Sequence, residues 1–128
     1  MRISVFGPRK ITKEDTLKIQ ESMDKIIGEL TLECITLLLG GASGTQKIVE
    51  EYFKDMYDIV VFQPWTMIKK DLIKEKYDPT YFFYRNIQIV DNSDVVCIYD
   101  NGNKDAEVYK VKNYCKNSNI QFWELDKV

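Results

Sequence analysis

Histidine is absent from the 128 residues. Its absence excludes a Ser-His-Asp or Cys-His catalytic centre, a His-ligated metal and an imidazole switch near neutral pH. Any proton transfer must use a tuned carboxylate, Tyr, Lys or Cys, or a group on the ligand. Arginine is scarce, with only Arg2, Arg9 and Arg85 among 18 basic residues. Each is worth locating, because a guanidinium fork grips phosphate in a way that lysine cannot. Cysteine is limited to Cys34, Cys97 and Cys115, with no CxxC or zinc-like spacing. Cys34 and Cys97 fall in or beside apolar runs, so both are expected to be small buried hydrophobes. No apolar run approaches the roughly 18 residues of a membrane span. The opening MRISVFGPRK is too poor in apolar residues for a signal peptide. A cytoplasmic, reduced protein without membrane contact is expected. The net charge of -2 argues against general affinity for nucleic acid, which demands a broad basic face.

What is present is enough for a core. The chain is 45% hydrophobic and 12% aromatic, and its length suits one domain over residues 1–128. Short apolar runs alternate with helical patterns, without repeats or linkers. Ile3–Phe6 reads as a strand ended by Gly7-Pro8. Thr12 and Asp15 form a capping box, opening a helix with the stripe Leu17, Met23, Ile26, Ile27 and Leu30. Ile35–Leu39 is a strand, Thr45–Met56 a helix and Ile59–Phe62 a third strand. A short helix is expected over Met67–Lys76. The aromatic cluster Tyr81–Tyr84 leads into a helical stretch, Arg85–Asp91. Asp94–Tyr99 is the fourth strand, Asp105–Lys116 the last helix and Ile120–Leu125 the last strand. This alternation predicts an α/β protein, a Rossmann-like three-layer sandwich. Its five-stranded, mainly parallel sheet has the expected order 3-2-1-4-5, with strands 1 and 4 flanking the switch point.

The candidate site residues lie in the loops at one end of that sheet. Gly40, Gly41, Ala42, Ser43, Gly44 and Thr45 join a buried strand to a helix. Glycines allow close backbone approach, and a helix start offers N–H groups, so the loop suits an anionic group. It lacks the GKT or GKS end of a Walker loop. Gly7, Pro8 and Arg9 leave the first strand at the same end, where Arg9 could reach an anion. Arg85 is a second candidate clamp, and Asn86 could read a base or ribose. Asp100, Asn101, Gly102 and Asn103 form a turn ahead of Asp105 and Glu107. Their carboxylates could bind ribose hydroxyls, or simply favour a helix N-terminus. Trp65 and Tyr81–Tyr84 could stack on a base or pack.

These pieces, in this order, resemble the SLOG superfamily over nearly the whole chain. That superfamily comprises Rossmann-like proteins related to the Lonely Guy phosphoribohydrolases, the DprA/Smf DNA-processing proteins and nucleotide-sensing domains of bacterial defence systems. Gly7-Pro8-Arg9 ends the first strand as in those proteins. Gly40-Gly41-Ala42-Ser43-Gly44-Thr45 is similar to their GGARGAD-like loop. Arg85-Asn86 matches their Arg-Asn pair, and Asp91–Tyr99 the stretch that enters the fourth strand. The Lonely Guy enzymes carry PGGxGTxxE after that strand. Here Asp100 and Asn101 stand at the two leading glycines, Asn103 and Lys104 at Gly-Thr, and Glu107 alone remains.

The resemblance implies binding or sensing of a nucleotide-derived ligand, a nucleoside phosphate or an ADP-ribose-like signal, at the C-terminal strand tips. No metal and no cofactor are expected. A second possibility is an N-glycosidase, phosphoribohydrolase or deoxyribosyltransferase-like enzyme in which Glu107 is catalytic. A third is an interaction module whose contact surface is the aromatic excursion from Trp65 to Tyr84. The expected partners are a nucleotide-like small molecule and further copies of the chain in a homo-oligomer.

Overall fold

The computed structural model describes residues 1–30, 34–62, 79–102 and 104–128, and of 79–81 the backbone alone. The strands are β1 (Arg2–Phe6), β2 (Thr36–Leu39), β3 (Asp58–Val61), β4 (Val95–Ile98) and β5 (Trp123–Glu124). The helices are α1 (Lys13–Leu30), α2 (Thr45–Phe53), α3 (Pro79–Asp91) and α4 (Ala106–Asn117). All five strands pair in parallel, in the order β3-β2-β1-β4-β5 that the sequence predicts.

The strands read as continuous apolar runs because both faces of the sheet are covered. Ile3, Val5, Leu37, Leu39, Cys97 and Tyr99 pack against Ile19, Met23 and Ile26 of α1 and Val49 and Phe53 of α2. Phe6, Leu38, Val96 and Ile98 pack on the other face, against Ile89 and Val90 of α3 and Val108, Val111 and Cys115 of α4. The result is a Rossmann-like sandwich. Truncating a core residue such as Leu37, which is fully buried, costs about 2–5 kcal/mol in such a setting.

The capping box of α1 forms reciprocally. The Asp15 N–H donates to Thr12 Oγ1 at 3.1 Å, and the Thr12 N–H donates to Asp15 Oδ2 at 2.9 Å. The expected stripe of α1 needs one correction. Leu17 is 58% exposed, and Ile19 is buried in its stead. Ile19, Met23, Ile26 and Ile27 keep the helical spacing of four, three and one, whereas Leu17 falls about 200° away from Ile19.

Several boundaries also shift. α2 stops at Phe53, whose carbonyl accepts from the Met56 and Tyr57 N–H groups in a closing turn. α3 begins at Pro79, so the aromatic cluster lies inside the helix rather than before it. Proline is well placed there, because the first helical N–H has no intrahelical partner. β5 is only two residues long. The chain then forms a 3₁₀ turn, Leu125–Lys127, whose Leu125 carbonyl accepts from Ser22 Oγ at 2.8 Å. Cys34 is exposed, contrary to expectation, because β2 starts two residues later at Thr36. Cys97 is buried as expected. The expected helix Met67–Lys76 and Trp65 lie outside the described residues. Among the described residues, no helix is long and apolar enough to cross a membrane.

Candidate ligand site at the strand tips

β1 and β4 are neighbours in the sheet, yet the chain leaves β1 towards β2 and β4 towards β5. That divergence is the switch point at which open α/β sheets leave a crevice. The loops after β1, β2 and β4 all emerge there.

The glycine loop after β2 is turned inward. Thr45 donates its backbone N–H and its Oγ1 to the Pro8 carbonyl, at 3.1 and 3.0 Å. The Gln46 side chain is buried. Its Oε1 accepts from the Gly40 and Ala42 N–H groups at 3.1 and 3.3 Å, and its Nε2 donates to the Val5 carbonyl at 3.0 Å. Four of the donors expected to cradle an anion, the Gly40, Ala42 and Thr45 N–H groups and Thr45 Oγ1, thus serve the chain's own acceptors. Gly44 has φ +79°, and a Cβ there would lie 2.3 Å from the Arg9 carbonyl oxygen. Gly7 lies against the Thr45 side chain. Gly41 and Ser43 are exposed on the outer edge of the loop.

Arg85 and Asn86 sit beneath this loop. Arg85 is 2% exposed and Asn86 3%. Arg85 Nη1 donates to the Gly40 carbonyl at 2.8 Å and Nε to Asn86 Oδ1 at 3.2 Å. A Cβ on Gly40 would lie 2.6 Å from the guanidinium carbon. Arg85 therefore ties α3 to the tip of β2. Its guanidinium carbon lies 5.1 Å from the Phe82 ring centroid.

Arg9 faces outward. Its guanidinium carbon lies 5.6 Å from the same Phe82 ring, and its Nη2 meets Glu107 Oε1 at 2.7 Å. The two side chains are 41% and 29% exposed. This contact joins residues 98 apart in sequence. It spans the switch point from the loop after β1 to the first turn of α4.

The loop after β4 is held by its own side chains. Asp105 caps α4, its Oδ1 accepting from the Glu107 and Val108 N–H groups at 2.9 and 3.2 Å. Asp100 Oδ1 accepts from the Gly102 N–H at 2.9 Å, and Oδ2 pairs with Lys112 Nζ at 3.0 Å. The Gly102 N–H and then Lys112 hold the Asp100 carboxyl below its ordinary value. Burial alone would lower the Lys112 ammonium, but the Asp100 and Glu124 carboxylates raise it. Tyr99 donates its hydroxyl to Asp15 Oδ1 at 2.6 Å, and Asn101 Nδ2 donates to Asp15 Oδ2 at 3.4 Å. Burial, and then the Asp15 carboxylate, push the Tyr99 phenol up. For Asp15, burial acts upward, but the bonds from Tyr99, Thr12 and Asn101 together bring it below the ordinary value.

The structure thus brings together Gly7, Pro8, Arg9, Gly40, Gly44, Thr45, Arg85, Asn86 and Glu107. It separates Asp100 and Gly102 from them. These two line a pocket of about 420 Å³ with Lys104, Ala106, Val108, Tyr109 and Lys112. Glu107 lies nearly half a helical turn away from that face of α4. Asn101 turns instead to the start of α1, and Asn103 lies outside the described residues. Sequence reasoning does not single out Gln46 or Tyr99, and it reads Asp15 only as part of the α1 capping box. Gln46 offers only a polar residue in the first turn of α2 as a signal. Among the described residues, no group of three or more Cys, Asp and Glu side chains could hold a metal ion. No known family model matches the chain, and no curated protein matches it.

Proposed function

We propose that the chain binds a nucleotide-derived ligand, a nucleoside phosphate or an ADP-ribose-like signal, in the crevice beside β1 and β4. The observation that carries this reading is the Arg9–Glu107 pair at 2.7 Å. It sets a partly exposed guanidinium and a partly exposed carboxylate on opposite walls of the switch-point crevice. A guanidinium fork suits a phosphate, and a carboxylate accepts from sugar hydroxyls. Phe82, half-buried beside Arg9, gives the crevice an aromatic wall. The likeness to the SLOG superfamily supports the same ligand class. Within this reading Arg9 faces the ligand, while Arg85 holds the glycine loop from below.

Binding is better supported than cleavage. A hydrolase needs the ribose phosphate held firmly against its glutamate. The α4 N–H groups nearest Glu107 are already bonded to Asp105. The same reading places the chain in a reducing cytoplasm, which suits three unbridged cysteines. It includes self-association through an aromatic surface containing Tyr84, which is 51% exposed.

The test is a melting screen against AMP, ADP, ADP-ribose and cyclic ADP-ribose. A ligand at one hundred times its Kd adds about 2.7 kcal/mol of stability. At least one of these nucleotides should raise the midpoint, and Arg9→Ala should abolish the rise. A midpoint that none of them moves refutes the reading.

A further inference from the structure

We propose that Glu107 determines specificity by occupying Arg9 as an internal counter-anion. Bare anions are disfavoured, and an anionic group binds better when it brings hydrogen-bond donors for Glu107 to accept from in exchange. The inference rests on the reading of this crevice as the ligand site.

The geometry supports an exchange of partners. At 2.7 Å the Nη2–Oε1 contact is as short as a charge-assisted bond normally becomes. Both side chains are partly exposed, so a ligand can reach either one. Both backbones are fixed. The Arg9 carbonyl packs against Gly44, and the Glu107 N–H is bonded to Asp105. Exchange therefore takes side-chain rotation, without movement of either loop.

An incoming phosphate group must displace a carboxylate already in place. Inorganic phosphate or pyrophosphate offers Glu107 at most P–OH groups borne by the anion itself, so two anions still face each other. A phosphorylated riboside supplies hydroxyl donors beside its anion and restores a partner to Glu107. Selectivity here comes from a repulsive element as much as from an attractive one. Exposed ion pairs are weak, so the discrimination amounts to about two- to fivefold.

Pyrophosphate and AMP titrations of the full chain, followed by NMR of the isotope-labelled protein, decide the matter. Wild type, Glu107→Gln, Glu107→Ala, Arg9→Ala and the double variant Arg9→Ala/Glu107→Gln are compared. Glu107→Gln and Glu107→Ala should each bind pyrophosphate about two- to fivefold more tightly than wild type. Their preference for AMP over pyrophosphate should fall. In the Arg9→Ala background the tightening should vanish, because the effect runs through Arg9.

Unchanged or weaker pyrophosphate binding in the Glu107 variants overturns the proposal. So does tightening that persists without Arg9, which is general charge removal, and so does a titration that moves no resonance in any variant. A Glu107 that merely serves the α4 dipole would change stability and leave anion affinity alone. If wild type binds no nucleotide while the Glu107 variants still tighten on pyrophosphate through Arg9, the anion filter stands and the nucleotide reading falls.

Discussion

Thr45 gives both its backbone N–H and its hydroxyl to one acceptor, the Pro8 carbonyl, at 3.1 and 3.0 Å. Two donors from one residue on one oxygen fasten the loop after β2 to the loop after β1. The first N–H of α2 is thereby held by protein. The glycines that look like a ligand cradle are needed for this fastening, since they let two backbones and a buried arginine meet. On the proposed reading the ligand-facing group is then Arg9, one loop over.

The fastening predicts opposite outcomes for two glycine-to-alanine changes. Gly44 has φ +79°, and its added Cβ would meet Arg9 and Pro8 backbone atoms closer than 2.6 Å. Backbone cannot yield as a flexible side chain does. Gly44→Ala should cost about 3 kcal/mol, from strain and overpacking together. Gly28 sits exposed in α1, and a Cβ there meets nothing within 4 Å. Gly28→Ala should add about 0.5–1 kcal/mol through helix propensity. Urea midpoints of the two variants, compared with wild type, check both signs.

Arg85 and Arg9 should respond differently to lysine. Arg85 is buried and uses two separate edges of its guanidinium, Nη1 on Gly40 and Nε on Asn86. Lysine keeps the charge but cannot reproduce that fork. Arg85→Lys should lose about 3 kcal/mol, as buried charge-assisted bonds break. Arg9→Lys changes a partly exposed residue and should stay within about 0.5 kcal/mol of wild type. Equal losses in denaturant unfolding would contradict this division between an internal clamp and an outward-facing group.

The fold was legible because its signals are local. Apolar runs such as Ile35–Leu39, the Thr12/Asp15 capping box and the alternation of strand with helix each occupy a few adjacent residues. The parallel sheet and its order follow from them through general rules of connection. The site was legible only as a set of loops. Which way their donors point depends on pairings between distant residues. Gln46 reaches Val5 across 41 residues, and Thr45 reaches Pro8 across 37. No local pattern encodes such a reach. The same holds for Arg85, whose burial depends on Gly40 leaving room for it. Cys34 was misread for a simpler reason. It adjoins an apolar run but stands outside the paired strand, where it is exposed.

Acid should weaken the fold partly through Asp100. Its carboxyl is held below the ordinary 3.8 by the Gly102 N–H first and Lys112 second, against burial. A folded-state pKa that is depressed favours the charged carboxylate in the fold. The stabilisation is therefore present in full above the ordinary value and is lost as pH falls through the lower folded one. Glu124 is lowered from 4.5, by Lys127 first, and behaves in the same sense. Asp100→Asn should cost about 0.5–1 kcal/mol at about pH 7. The gap to wild type, compared between about pH 7 and an acid pH below the ordinary carboxylate range, should narrow at the lower one. A gap of equal size at both pH values would mean that the turn geometry, not the charge, carries the effect.

The three thiols should separate by reactivity. Cys34 is exposed, whereas Cys97 and Cys115 are buried on opposite faces of the sheet. Burial pushes the Cys97 thiol up to about 12 and, with a smaller part from Asp91, the Cys115 thiol up to about 11. The thiolate is the attacking species, so both are inert on two counts, access and ionisation. Titration of the native protein with a chromogenic disulfide should show one fast thiol, lost in Cys34→Ser. The other two should react only as the fold opens, and all three cysteines should react at once in denaturant. A second fast thiol in the native protein would show that one face of the sheet opens readily. Cys97 pairs with Val5 in β1, so an opening there would loosen the strand that carries Arg9 into the crevice.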